Sequence, residues 1–301
     1  MLVALVLTTC SITRTLTSQA EFTALLAKEK KELLFYLHGM GQRTSLVEAT
    51  DSMQTNLDSQ KPGEVLVVPI DWAAEDHPEQ ELAGSALRKL FSGLQKEMGS
   101  EKTMGLNVMA HSMGNRVLCC MGKSAVEGNA SWNEEGLQGK SLLQAAPEDL
   151  KNQEDLFLNI FFVAADIPES VFDEPDGSHG KQAEHGINSG VAALAVMTKR
   201  MHVLHANKTD GALNQSLIAP RLGSRGPWSS GLGNKPNPVW NKISDALETY
   251  EGDEMAGNVD NGNVRVQDCS SWNTEASKNG HSYQFAPEAV AYYLKHMAGI
   301  F

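Results

Sequence analysis

Six short apolar runs, each ending at a turn or polar residue, are the feature that most constrains the fold of this chain. They occupy residues 33–37, 65–70, 106–110, 159–165, 201–206 and 264–267. Continuous apolar runs of this length are typical of strands that are buried on both faces of a parallel sheet. Because helical stretches lie between them, the sequence predicts an α/β fold, with a mostly parallel central sheet and helices on both faces.

Two stretches show the spacing of helices. From Leu82 to Met98 apolar residues recur at nearly the helical period and charged residues fill the opposite side, which predicts an amphipathic helix. The stretch PEAVAYYLKHM begins at Pro287, a residue that the first turn of a helix accepts. The apolar start, residues 1–7, is too short to span a bilayer and lacks a positively charged leader, so we interpret it as a further strand.

Three stretches interrupt the alternation of strand and helix: 122–155, 168–189 and 221–263. We interpret them as insertions in a single α/β domain that covers residues 1–301. The last contains Trp228 and Trp240 among glycines and prolines. Long loops at the carboxyl ends of parallel strands often cover a ligand site, so this insertion is predicted to be a lid or pocket wall, the alternative being a solvated surface excursion.

Charge and cysteine content narrow the classes of partner. The net charge of −12 repels phosphate backbones, which argues against nucleic acid and against a polybasic membrane contact. Four cysteines without CxxC spacing predict neither a disulfide scaffold nor a structural zinc site. The sequence favours the cytoplasm as the cellular compartment. It does not exclude export, because a signal peptide removed before residue 1 would leave no trace.

The segment AHSMG, residues 110–114, joins a predicted strand to a predicted helix. Small residues at both ends allow the sharp turn of a nucleophile elbow, which would expose the side chain of Ser112. His111 within this turn is expected to shape it. The alternative is a serine that caps a helix after a buried strand.

The segment HGMG, residues 38–41, follows the first of the six apolar runs and has the pattern of an oxyanion loop. Acyl transfer places negative charge on a carbonyl oxygen, and each backbone N–H directed at it contributes about 2.7 to 4 kcal/mol. The candidates are the N–H groups of Met40 and Met113, with His38, Gly39 and Gly41 lining the same pocket. The alternative is a glycine-rich exit from a strand.

A serine nucleophile also needs a base and an orienting acid, in the chain order Ser, Asp, His for an α/β-hydrolase. Asp210 follows the predicted strand 201–206, and His281 lies in a glycine-framed loop before the last helix. These two complete a predicted triad with Ser112. Asp166, at the end of the preceding strand, is a competing acid, but the later strand is the commoner site in this fold.

The motifs HGMG, AHSMGN, VAADIPESVF, ANKTDGAL and GHSY together resemble the α/β-hydrolase superfamily. Within it, the chain resembles a branch of poorly characterised esterase-like proteins that carry AHSMGNR at the elbow, and the resemblance spans about residues 33–294. It implies a serine hydrolase whose triad is Ser112, Asp210 and His281, with Asp166 beside the active site. The elbow departs from the wider superfamily in starting with Ala110 instead of Gly, and the insertion at 221–263 is longer than expected.

The sequence therefore predicts a serine esterase or lipase-like enzyme that cleaves small carboxylic esters through an acyl-enzyme. Neither a metal nor another cofactor is needed for this chemistry. An acyltransferase or amidase would use the same residues. A non-catalytic binding protein on the same fold is the alternative from another class. The natural ester and the oligomeric state are not predicted.

Overall fold

The computed structural model describes thirteen stretches of the chain: residues 4–9, 12–16, 32–39, 46–72, 77–98, 106–127, 147–153, 156–167, 187–206, 213, 259–261, 264–272 and 281–297. The strands are β1 Ala4–Thr9, β2 Ile12–Leu16, β3 Glu32–Leu37, β4 Val65–Asp71, β5 Leu106–His111, β6 Phe157–Val163, β7 Thr198–His205, β8 Val259–Asn261 and β9 Val264–Asp268. The helices are α1 Leu46–Gln60, α2 His77–Met98, α3 Gly114–Val126, α4 Glu148–Lys151, α5 Ile187–Val196 and α6 Pro287–Met297, with short 3₁₀ turns at Ser270–Trp272 and Tyr283–Phe285.

The strands form one sheet in the order β2-β1-β4-β3-β5-β6-β7-β9-β8. The six central strands are parallel to one another: β4, β3, β5, β6, β7 and β9. The strands at the edges, β1, β2 and β8, pair antiparallel. These six are the strands predicted from the apolar runs, so the α/β fold is confirmed. Strand β6 ends at Val163 instead of residue 165, because Ala164 has a φ of 45° and turns the chain out of the sheet.

Helices cover both faces of the sheet. One face packs against α2, α3 and α5, where the ring of Phe35 meets Phe91 edge-on at 4.9 Å. The other packs against α1 and α6, where the ring of Phe161 meets Tyr293 at 5.1 Å. Since side chains alternate along a strand, each central strand feeds both cores, which explains its continuous apolar sequence.

The predicted insertions need corrections at their ends. Residues 122–126 belong to α3, so the first begins too early, and α4 lies within it. Helix α5 begins inside the second, and β8 lies inside the third. Most of the remaining residues of these stretches, including Trp228 and Trp240, lie outside the described ranges. None of the described helices is both long and apolar enough to cross a membrane.

Candidate active site

The turn at Ser112 has the geometry of a nucleophile elbow. Strand β5 ends at His111, helix α3 begins at Gly114, and Ser112 between them has a φ of 51°. A left-handed φ is uncommon for a residue other than glycine and stores strain of about 1 to 3 kcal/mol. Gly114 is required because a Cβ there would lie 2.7 Å from the carbonyl oxygens of both Leu37 and His38.

Hydrogen bonds hold the backbone of Ser112 on both sides. Its N–H donates to the carbonyl oxygen of Val163 over 3.0 Å. Its own carbonyl oxygen accepts from the N–H of Asn115 at 3.1 Å, from the N–H of Asp166 at 3.2 Å and from Nδ2 of Asn115 at 2.9 Å. The fully buried Asn115 had no part in the sequence prediction, although it stands in the quoted AHSMGN motif. The elbow is thus fixed to the end of β6.

Asp166, the competing acid, is paired with an arginine on α3. The Nε atom of Arg116 donates to the Asp166 carbonyl oxygen over 2.8 Å, and its Nη2 atom lies 3.3 Å from the carboxylate oxygen Oδ2. Both side chains are largely shielded from solvent. Arg116 therefore holds the same loop whose backbone binds Ser112, a role that sequence spacing did not indicate.

Backbone at the end of β3 lies directly against the serine. A Cβ built on Gly39 would be 2.9 Å from Cβ of Ser112 and 3.0 Å from Nδ1 of His111. Only glycine permits this approach without a shift of the loop. The predicted oxyanion residue Met40 and the neighbouring Gly41 lie outside the described residues.

His38 contacts both Trp72 and the backbone of Gly39, and so helps to fix this loop. Its ring stacks on Trp72 with centroids 5.1 Å apart, and the Trp72 indole N–H donates to the His38 carbonyl oxygen over 3.0 Å. Its Nδ1 donates to the carbonyl oxygen of Gly39 over 2.8 Å. The second predicted oxyanion residue, Met113, immediately precedes α3. N–H groups at a helix N-terminus point toward an anion, which suits that role.

The structure brings His281 to the elbow although it is 170 positions from His111. The Nε2 atom of His111 donates to the His281 carbonyl oxygen over 2.8 Å, and the two ring centroids are 4.9 Å apart. Burial, followed by the proximity of His281, lowers the pKa of His111 to about 3. His111 is therefore neutral near pH 7 and carries its proton on Nε2. Asp210 lies outside the described residues, beyond the end of β7 at His205.

The described residues around Ser112 bring together three features of the site. Ser112 and Met113 are partly exposed, whereas His111 and Gly114 on either side of them are buried. A helix N-terminus lies on one side of Ser112, and the glycine backbone of the β3 loop lies on the other. The backbone carbonyl oxygen of His281 accepts a hydrogen bond from His111, the residue that precedes Ser112. The backbone of Ser112 is held at the carboxyl ends of the strands, where ligands enter open α/β sheets.

Comparison with known protein families identifies the family of the chain. Residues 15–255 match the family described as "Alpha/beta hydrolase of unknown function (DUF900)". The match includes Ser112, Asp166 and Asp210 and stops before His281. No curated protein matches the chain. Because the family model matches most of its length, and six of the nine described strands form the parallel centre of one sheet, the chain belongs to this family of α/β-hydrolases of unknown function.

Proposed function

We propose that this hydrolase cleaves carboxylic esters, with Ser112 as nucleophile, His281 as base and Asp210 as the orienting acid. The observation that carries the proposal is the strained backbone of Ser112, at a φ of 51°, in contact with Gly39 and beside the segment of His281. Strain of this kind persists only where surrounding structure maintains it, and it clusters at active sites. Four donors and acceptors around the Ser112 backbone provide that maintenance.

The reaction follows from these roles. The Ser112 hydroxyl attacks the ester carbonyl and transfers its proton to His281, while the N–H groups of Met113 and Met40 bind the oxyanion. The C–O bond to the alcohol then breaks, and the alcohol leaves with the proton from His281. Water then gives a proton to His281 and attacks the acyl carbonyl, and the bond to the Ser112 oxygen breaks as that oxygen takes the proton back from His281, which releases the carboxylic acid. Asp210 keeps the imidazole in the required tautomer.

Reaction with a fluorophosphonate tests this proposal. We expect the folded protein to be labelled on Ser112 alone, as located by mass spectrometry of the modified peptide, and to hydrolyse p-nitrophenyl acetate. Ser124→Ala provides a matched control, because Ser124 lies on the same helix and donates its hydroxyl to the Met121 carbonyl oxygen over 2.7 Å. This variant keeps the label. A label on another residue, or none on folded protein, contradicts the enzymatic role of Ser112.

A further inference from the structure

A buried tyrosine lies two residues after the proposed base. Tyr283 opens the 3₁₀ turn Tyr283–Phe285 and has no exposed surface. Its hydroxyl accepts a hydrogen bond from the N–H of Ala164 over 2.9 Å and donates one to the carbonyl oxygen of Leu204 over 2.7 Å. One hydroxyl thus makes both of the bonds that a buried phenol needs.

These partners lie at the ends of two neighbouring strands. Ala164 follows β6 and has the positive φ that turns the chain, and Leu204 is the penultimate residue of β7. The residue before Ala164 is Val163, whose carbonyl oxygen accepts the N–H of Ser112. The same short segment therefore contacts both the serine turn and, through Tyr283, the segment of His281. Asp210 follows β7 in the sequence, so the hydroxyl also joins the base segment to the strand that precedes the proposed acid in the chain.

A second contact fixes the other end of this segment. His111 donates from Nε2 to the backbone carbonyl oxygen of His281. The neutral state of His111 keeps this donor and adds no charge beside the base. The main chain from His281 to Tyr283 is consequently held at two points, one on β5 and one on the ends of β6 and β7. Neither of these two bonds uses the imidazole of His281.

We propose that Tyr283, together with His111, is a positioning residue that holds His281 in register with Ser112. The inference rests on the proposed function and extends it to a residue that touches neither substrate nor reacting atoms. The distance between nucleophile and base decides the rate of proton transfer, and a misplacement of about 1 Å can cost about 10²-fold. Binding of the ester does not depend on that distance.

Tyr283→Phe removes the hydroxyl and keeps the ring. Its matched control is Tyr293→Phe, because Tyr293 in α6 is equally buried in the same core and its hydroxyl has no hydrogen-bond partner among the residues that the structure describes. For Tyr283→Phe we expect kcat for p-nitrophenyl acetate to fall by about 10²-fold with KM unchanged. The rate of Ser112 labelling by fluorophosphonate should fall in parallel. For Tyr293→Phe we expect both rates to stay within about threefold of wild type.

The outcomes separate the inference from the proposed function. If wild type is labelled at Ser112 but both tyrosine variants react at the wild-type rate, the positioning role is overturned and the proposed function stands. If wild type is not labelled, the proposed function fails. A loss in KM alone, with kcat retained, also overturns the positioning role. Should Tyr283→Phe not fold, His111→Phe removes the other contact, and an unchanged kcat in that variant overturns the inference.

Discussion

The backbone N–H of Asp166 donates to the carbonyl oxygen of Ser112 over 3.2 Å, which joins the loop after β6 to the turn after β5. The side chain of Asp166 strengthens the same connection through its ion pair with Arg116. Asp166, which sequence order alone allows as the catalytic acid, therefore supports the backbone of the proposed nucleophile Ser112.

This relationship predicts a ranking of two carboxylate variants. Asp210→Asn should lower kcat/KM for p-nitrophenyl acetate by about 10⁴-fold, because the wrong imidazole tautomer is favoured. Asp166→Asn retains an oxygen for Arg116 and the backbone N–H to Ser112, so we expect a loss below about tenfold. Steady-state kinetics on both folded variants check the ranking, and the reverse order would assign the acid to Asp166.

The contact between Gly39 and Ser112 predicts a steric effect on activity. Gly39→Ala places a methyl group 2.9 Å from Cβ of Ser112, so the loop must shift, and kcat should fall by about 10²-fold. The matched control is Gly63→Ala. Gly63 has a φ of 73° and nothing within 4 Å of an added Cβ, so alanine there costs about 1 kcal/mol of stability and leaves kcat unchanged. Equal kcat values for the two variants would contradict the steric argument.

The strain at Ser112 predicts that two inactive variants differ in stability. Both Ser112→Ala and Ser112→Gly should lose ester turnover by up to about 10⁶-fold, because the nucleophile is gone. Glycine accepts a φ of 51° without a steric penalty. The free energy of unfolding of Ser112→Gly should therefore exceed that of Ser112→Ala by about 0.5 to 1 kcal/mol. Urea denaturation followed by circular dichroism measures this difference. Equal stability would show that the turn is not strained.

Glu32 is a titratable group at the amino-terminal end of the central strand β3, whereas Ser112 follows the carboxyl end of the neighbouring strand β5. It begins β3 and accepts a hydrogen bond from Nδ2 of Asn107 over 3.4 Å. Burial is the main reason that its pKa is raised to about 7, and the charge of Glu64 adds to it, against the opposing hydrogen bond from Asn107. The folded state therefore binds this proton more tightly than the unfolded chain does.

The raised pKa predicts how stability depends on pH. The contribution is fully present below about pH 4.5, and it is lost as the pH rises toward 7, because the unfolded chain ionises first. In Glu32→Gln this part of the pH dependence should disappear, with a difference of at most about 2 kcal/mol because the carboxyl is partly exposed. Denaturation from pH 4 to 8 measures it, with the exposed Glu48→Gln as control. Parallel curves for wild type and Glu32→Gln would refute the shifted pKa.

The sequence could predict the parallel strands because each is buried on both faces and so appears as a continuous apolar run. It could not predict helix α5, whose residues 190–196 are all buried, so that no polar face marks a helical period. The sequence does not predict helix α1 either, because its buried face is partly polar. Its buried face contains Thr50 and Gln54, and Gln54 is satisfied by hydrogen bonds to Val65 and Val67 on the adjacent strand.

The same division applies to the candidate site. The local sequence is enough to specify the turn that carries Ser112, because the tight geometry requires Gly114 and a short motif between strand and helix. The chain order of Ser112, Asp210 and His281 is likewise read from the sequence. The contacts that support them arise from the fold: Asn115 and Arg116 bind the segment from Val163 to Asp166, and Tyr283 joins the ends of β6 and β7. These partners are distant in sequence, and no local pattern marks a hydrogen bond that forms only when the sheet has assembled.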